Sequence, residues 1–368
     1  MITVSEIRPQ IRAFLAEEMS SGRFKPRCDA WLSGHDPAFS RRLGEHGWIG
    51  MTWPKRYGGG ERSYLERYVV LEELLGAGAP VAAHWIADRQ TGPLLLRYGT
   101  DGQKESLLPR IARGELYFCI GMSEPDAGSD LASIRTKAVP VEGGFMLSGT
   151  KVWTSHAHRS HYILTLARSS PKTEARHEGI SQLIVDLHGK GVSVRPIKLL
   201  TGEEDFSEVV FDEVFVSEEM VLGKAGEGWR QVMSELSYER SGPERFLSTY
   251  PLLVELVREV GPNPTDGESR ALGELYARLA ALRELSMEVA RSLEAGKLPT
   301  IQAAMVKDMG TRFERDVVET TRRLVEPSKG SGEFRRLYAE AVTHVPGFTL
   351  RGGTSEILRG IIARELHA

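Results

Sequence analysis

Two cysteines in 368 residues, Cys28 and Cys119, are too few and too far apart for a disulfide framework or a thiolate metal site. That scarcity suits a reducing compartment, and a cytoplasmic location is expected. Long apolar runs are lacking as well. None approaches the ~18 residues of a membrane helix, and the N-terminus has neither the basic nor the apolar segment of a signal peptide. No membrane partner and no processing are therefore expected. Charge of one sign is not in excess either: 47 Lys+Arg against 50 Asp+Glu leave a net charge of −3. Because the two signs are mixed along the chain, a basic nucleic-acid arm is excluded. Neither internal repeats nor low-complexity linkers are found.

What the chain does have is a change of texture along its length. Over residues 1–113 apolar residues recur at steps of three and four, as in Ile7, Ile11, Phe14, Leu15 and Tyr68, Leu71, Leu74, Leu75. This spacing predicts helices with one apolar face. Residues 114–220 switch to short β-rich runs broken by Gly and Pro, among them "FMLSGTKVWTS", "ISQLIVDL" and "SEVVFDEVFV". Strands so closely spaced predict a small antiparallel sandwich or barrel. From 221 to 368 helical periodicity returns in long segments that read as a bundle, with "REVGPNPTDGES" (258–269) as the joint between two helices. The expected fold class is mainly α with a central β domain.

Several glycine-rich and histidine-rich stretches suggest chemistry and then fail to support it. Gly144-x-x-x-x-Gly149-Thr150-Lys151 has the look of a phosphate loop, but its Thr and Lys stand in the wrong order and strand-like residues follow. Gly223-Lys-Ala-Gly226-Glu-Gly228 precedes a helix without an upstream βαβ pattern, so no dinucleotide fingerprint is read there. His156, His158 and His161 are dense enough to ligate zinc, yet no second ligand group accompanies them. They are read as a solvated turn, and no metal site is expected.

Three other stretches carry more. "MSEPDAGSD" (122–130) follows the apolar run Leu116–Ile120 and sets Gly128 and Ser129 between two aspartates, either as a surface turn or as backbone that must approach a ligand closely. Glu239 lies three residues beyond an apolar face formed by Trp229, Val232, Met233 and Leu236. An inward carboxylate there would be desolvated, and its pKa would rise toward the range useful to a general base; the alternative is an ion pair with Arg240 or Arg245. "RGGTSEILRGIIARELH" (351–367) places Gly352 and Gly353 before Thr354 and Ser355, a capping-box-like start to an amphipathic helix.

Taken in order, "MSEPDAGSD", "SGTKVWTSHA", "GEGWRQVMSELSYER" and "GGTSEILRGIIAREL" resemble the motifs of the acyl-CoA dehydrogenase family of flavoproteins, at that family's spacing and over most of the chain. The resemblance implies an N-terminal helical domain, a middle β domain and a C-terminal four-helix bundle. It implies FAD as cofactor, contacted by Met122, Ser123, Gly128, Ser129, Trp153, Thr154, Ser155, Thr354 and Glu356. It also implies an acyl-CoA substrate contacted by Ser129, Arg240, Gly352 and Gly353, and α,β-dehydrogenation to the 2-enoyl-CoA. The flavin N5 would accept the hydride, and an electron-transfer flavoprotein would take the electrons. Many members carry the base just before the Gly-Thr of the last motif, where this chain has Gly352; isovaleryl-type members carry it at the position of Glu239, so resemblance and periodicity select the same residue.

One departure bears on assembly. The family's Arg-x-x-Phe-Gly and Gln-x-x-Gly-Gly segments, which reach across a dimer interface to a neighbouring FAD, are absent from "REVGPNPTDGESRALGEL" and "RRLVEPSKGSGEF". The expected assembly is a homodimer or homotetramer, or a hetero-oligomer in which a homologous subunit completes the site, as in dehydrogenases of bulky steroid-derived acyl-CoAs. A same-fold monooxygenase or oxidase, and a non-catalytic flavin-binding subunit, are the alternative functions.

Overall fold

The structure is a computed structural model that describes residues 4–171, 174–239, 242–297 and 299–366. Seven helices come first: α1 (Val4–Ser20), α2 (Ala30–Ser33), α3 (Pro37–Glu45), α4 (Tyr64–Gly76), α5 (Ala82–Ile86), α6 (Gly92–Tyr98) and α7 (Asp101–Ala112). The strands β1 (Phe118–Gly121), β2 (Lys137–Val141), β3 (Gly144–Ser155), β4 (Tyr162–Arg168), β5 (Ile180–Asp186), β6 (Val192–Ile197) and β7 (Phe206–Ser217) follow. The chain then returns to helix: α8 (Gly228–Glu239), α9 (Tyr250–Val260), α10 (Asp266–Glu294), α11 (Thr300–Leu324), α12 (Gly332–Phe348) and α13 (Ser355–Leu366). Packing gathers these into two compact units that cut across the three segments proposed from composition.

The first unit comprises Met1–His35, Arg62–Val81 and Ser237–Ala368. The periodic residues of α1 and α4 are buried where those helices meet, and α4 starts at a capping box between Ser63 and Glu66. Helix α10 packs on α11, and α12 packs on α9 and α11. Cys28, Leu252, Val318, Phe334, Leu337 and Ala341 form one of this unit's apolar cores. The 261–265 loop joins α9 to α10 as the sequence predicts, and Thr265 closes a capping box with Glu268.

Charge is buried in this unit as well. The Asp29 carboxylate accepts hydrogen bonds from both terminal nitrogens of Arg351, at 2.5 and 2.7 Å, and faces Nδ1 of His344 at 3.3 Å. Arg351 also lies over the rings of Trp31 and Phe348, at 4.3 and 4.4 Å. Burial opposes ionisation of Asp29, but Arg351 and His344 outweigh it and hold the carboxyl below its usual range. Glu314 on α11 is the opposite case. It accepts the Ser248 N–H at 2.8 Å, yet burial dominates and lifts its pKa to about 7.

The second unit, Asp36–Glu61 with Ala82–Leu236, is built on one curled sheet. Its strand order is β1-β4-β2-β3-β7-β6, with β5 also paired to β4. Most pairings are antiparallel, as expected, but β1 and β2 each run parallel to β4. Alternate residues of several strands, including Leu147, Ile163, Leu183, Val209 and Phe211, close a core inside the curl. The Gly144–Lys151 stretch lies within β3. On the other face of β4 and β5, Leu166 and Ile180 pack against Val232 of α8.

The inward face of α8 differs from the one read in the sequence. Val232 is buried and Trp229 half-buried, but Met233 is 45% exposed, and Gln231, Ser234 and Glu235 are buried instead. Phase is set by docking on β4 and β5, which offer polar Gln182 beside Ile180, and hydrophobicity alone misplaces it by one residue. Between α5 and α6 a single π turn, Ala87–Thr91, is wholly buried. Asp88 in that turn accepts the Gly50 N–H at 2.7 Å.

Two outcomes test this account of the first unit. For Glu314 the folded pKa of about 7 lies above the ordinary 4.5, so the native state binds the extra proton and stability falls as pH rises between those values. A Glu314→Gln variant is expected to be more stable than wild type at pH 8, with the advantage gone near pH 4, in urea titrations. Asp29→Ala, which strips Arg351 of its carboxylate, is expected to cost about 3 kcal/mol in the same titrations.

Candidate functional site

The loop after β1 is held by its own backbone and by β3. Glu124 and Ala127 exchange N–H to O bonds of 2.8 and 3.1 Å around Pro125 and Asp126. Ala127 turns into the core beside Met122, Ile134 and Val232. Gly128 and Ser129 are exposed, and a Cβ added at Gly128 would meet nothing within 4 Å. The space around Gly128 is therefore open, and a small side chain could stand there without a clash. Asp130 next to them binds Arg176 and the Ser133 hydroxyl.

Beside this loop β3 carries a bulge. Its register against β7 shifts between Lys151 and Thr154, and Trp153 adopts φ 59°, a left-handed conformation that a bulky residue rarely takes. The effect is to turn Trp153 outward. It is 56% exposed, touched edge-on by Phe206 at 6.1 Å. Thr154, one residue on, is buried, and its hydroxyl has no hydrogen-bond partner among the described residues. Ser155 is half-buried.

Loop and bulge meet at a lysine with no exposed surface. Lys151 Nζ donates to the Met122 carbonyl at 3.0 Å and to Glu124 Oε1 at 2.8 Å, and the Val152 N–H donates to the Ser123 carbonyl at 3.0 Å. Glu124 also accepts the Arg135 and Thr136 N–H groups, at 2.6 and 2.9 Å. Desolvation lowers the Lys151 pKa to about 8 despite the attraction of Glu124. For Glu124 burial works against ionisation, but the Lys151 charge and the hydrogen bonds it accepts hold its carboxyl below the usual range.

In the first unit the predicted C-terminal contacts form a second group. Gly352 and Gly353 take φ of 66° and 89°, which glycine alone adopts freely, in the turn between α12 and α13. Thr354 accepts the Ile357 N–H at 3.3 Å. The N3 position is Ile357, so only half of the capping box read from the sequence exists. Glu356 is exposed on the first turn of α13. Glu239 is the last residue of α8, but its side chain and the whole of Arg240 lie outside the described residues. Arg245, named as an alternative partner for Glu239, is buried over the Trp31 ring with Glu244 at 3.4 Å.

Of the three histidines only His156 departs clearly from a solvated turn, since His158 and His161 are half-buried. His156 is buried at a left-handed position after β3, His158 Nδ1 is 3.0 Å from the Ser207 hydroxyl, and His161 Nδ1 accepts the Tyr117 N–H at 3.1 Å. Burial lowers the pKa of His158 and of His161. A further acid escaped the sequence reading: Glu235 is fully buried and accepts from Gln90 Nε2 at 3.0 Å and Gln182 Nε2 at 3.3 Å. The signal was available, since Glu235 follows Val232 by the same three-residue step that singled out Glu239.

Three family models match: "Acyl-CoA dehydrogenase, N-terminal domain" at residues 3–115, "middle domain" at 119–214 and "C-terminal domain" at 265–367. Acyl-CoA dehydrogenase FadE34 of Mycobacterium tuberculosis is 34% identical over 99% of this chain, which spans only 48% of that relative's length. Acyl-CoA dehydrogenase IpdE1 of the same organism is 32% identical over 100% of this chain and 98% of its own. Among solved structures, one chain of the ChsE4–ChsE5 complex from Mycobacterium tuberculosis superposes with a TM-score of 0.82 at 29% identity, covering 98% of this chain and 96% of that one. With all three domain models matched in order and a full-length relative above 30% identity, this chain belongs to the acyl-CoA dehydrogenase family of flavoprotein oxidoreductases.

Proposed function

We propose that this chain is an FAD-dependent enzyme that converts an acyl-CoA thioester to the 2-enoyl-CoA. The observation that carries the reading is the surface of the second unit: an exposed Trp153 turned out by a bulge, a buried Thr154 hydroxyl without a partner among the described residues, and open space at Gly128. An aromatic face, a desolvated hydroxyl and a loop with open space at Gly128 fit a flavin ring and its polar edge. Met122, Ser123, Ser129 and Ser155 complete the residues that would hold it, with Thr354 and Glu356 assigned to its nucleotide portion. Ser129, Arg240, Gly352 and Gly353 are assigned to the CoA thioester. When bound, flavin supplies the acceptor for the hydride that leaves the substrate's β-carbon.

Glu239 is assigned as the base that removes the α-proton. A proton next to a thioester is weakly acidic, so the work of this chain is to hold a carboxylate at the α-carbon and keep water away from it. No described helix is long and apolar enough to cross a membrane, and we assign the enzyme to the cytoplasm with an electron-transfer flavoprotein as its acceptor. Because the two interface motifs are missing and a similar solved chain comes from a complex of two named proteins, we favour an oligomer completed by a homologous subunit.

Anaerobic bleaching of the flavin absorbance by a panel of acyl-CoAs tests the reaction. Glu239→Gln is expected to slow that bleaching by about 10²–10⁴-fold, and an unchanged rate would assign the base elsewhere. Rapid oxygen consumption in steady state would instead indicate an oxidase. Gly128→Ala is expected to leave the thermal midpoint of the flavin-free protein unchanged, because its Cβ meets open space, while weakening FAD retention.

A further inference from the structure

Between Glu124 and Arg135 the chain leaves the sheet, presents Gly128 and Ser129 to solvent, and returns to β2. Loops of that kind are ordinarily mobile at the tip and set by their ends. Here both ends are tied to one buried carboxylate. Glu124 stands at the exit from β1, and its two oxygens accept the Arg135 and Thr136 N–H groups at the entry to β2. The same carboxylate is bonded to Lys151, whose ammonium also takes the Met122 carbonyl. Lys151 is the residue at which the β3 register begins to shift, and the next residue, Val152, donates to the Ser123 carbonyl. Met122, Ser123 and Glu124 are thus bonded in succession to the start of the bulge that turns Trp153 outward.

We propose that the Glu124–Lys151 pair is the positioning element of the cofactor surface, locking the 122–136 loop and the 152–155 bulge into one rigid body so that Gly128, Ser129, Trp153 and Thr154 keep a fixed spacing. The inference rests on the flavin reading above. Its physical basis is that a buried ion pair adds little net stability, while this one directs three backbone groups of the loop toward fixed partners. Apolar residues of the same volume would fill the space, yet they would leave the Arg135 and Thr136 N–H groups and the Met122 carbonyl without partners in the interior. The pair is neutral as a whole and touches no residue assigned to the reaction except through the Met122 carbonyl. Its effect is therefore expected on the capture of ligands and not on the chemical step.

The test compares wild type with Lys151→Met and Glu124→Gln, each purified as wild type is, alone or with its partner subunit. FAD affinity is read from quenching of tryptophan fluorescence, at a temperature where far-UV circular dichroism shows the variant folded. Both variants are expected to bind FAD at least tenfold more weakly and to raise the KM for acyl-CoA. At saturating FAD and substrate, kcat should stay within about threefold of wild type, a split that general loss of structure would not produce. Amide exchange of the wild-type protein supplies a reading that needs no variant. The Arg135 and Thr136 amides should be protected with and without FAD, and those of Gly128 and Ser129 should gain protection only when it binds. Folded variants with wild-type FAD affinity, or rapid exchange at Arg135 and Thr136, would overturn the inference while leaving the flavin reading intact. Wild-type protein that takes up no FAD in any assembly would overturn both.

Discussion

An ammonium group cannot be taken out of water without a partner, and Lys151 is taken out of water completely. From that constraint follows much of the architecture of the second unit. The lysine needs acceptors, and Glu124 and the Met122 carbonyl supply them. Glu124, now buried as well, has lone pairs left over, which the Arg135 and Thr136 amides occupy. Strand β3 is thereby joined to the loop that leaves β1 and to the start of β2. The bulge that follows Lys151 turns Trp153 to the outside and Thr154 to the inside, and this is the surface on which the functional reading depends.

The first unit solves a similar problem with different groups. Asp29 is buried and stays ionised because Arg351 and His344 face it, and the Arg351 plane is sandwiched by aromatic rings. That arrangement fixes the turn between α12 and α13 immediately before Gly352 and Gly353. Glu314, with a backbone N–H and a more distant arginine for support, does not escape the desolvation penalty. Two carboxylates in one unit therefore answer to pH in opposite directions, and the difference lies in the number and charge of their partners.

Helix faces were legible wherever the period was local. Ile7, Ile11, Phe14 and Leu15, and Tyr68, Leu71, Leu74 and Leu75, are buried as their spacing demands, because a helix presents its i, i+3 and i+4 residues on one side whatever it packs against. Helix α8 failed this rule at Met233, where the polar Gln182 on β5 and Gln90 in the π turn supplied partners that rewarded burying Glu235. The histidine turn departed from its reading for a different reason. Polar residues in a short connection read as solvated, but His156 is buried, and Ser207 and Tyr117 take up ring nitrogens of the half-buried His158 and His161.

The sequence by itself determined the family and the order of helical and β segments, since motif spacing and periodicity are properties of nearby residues. Tertiary structure alone decided which charges are buried and who neutralises them. Lys151 and Glu124, like Arg351 and Asp29, come from separate parts of the chain, and nothing in the neighbourhood of either residue announces the other. A desolvated charge is tolerated only when its partner arrives from elsewhere in the fold, so its position becomes readable only after the fold has brought the two together.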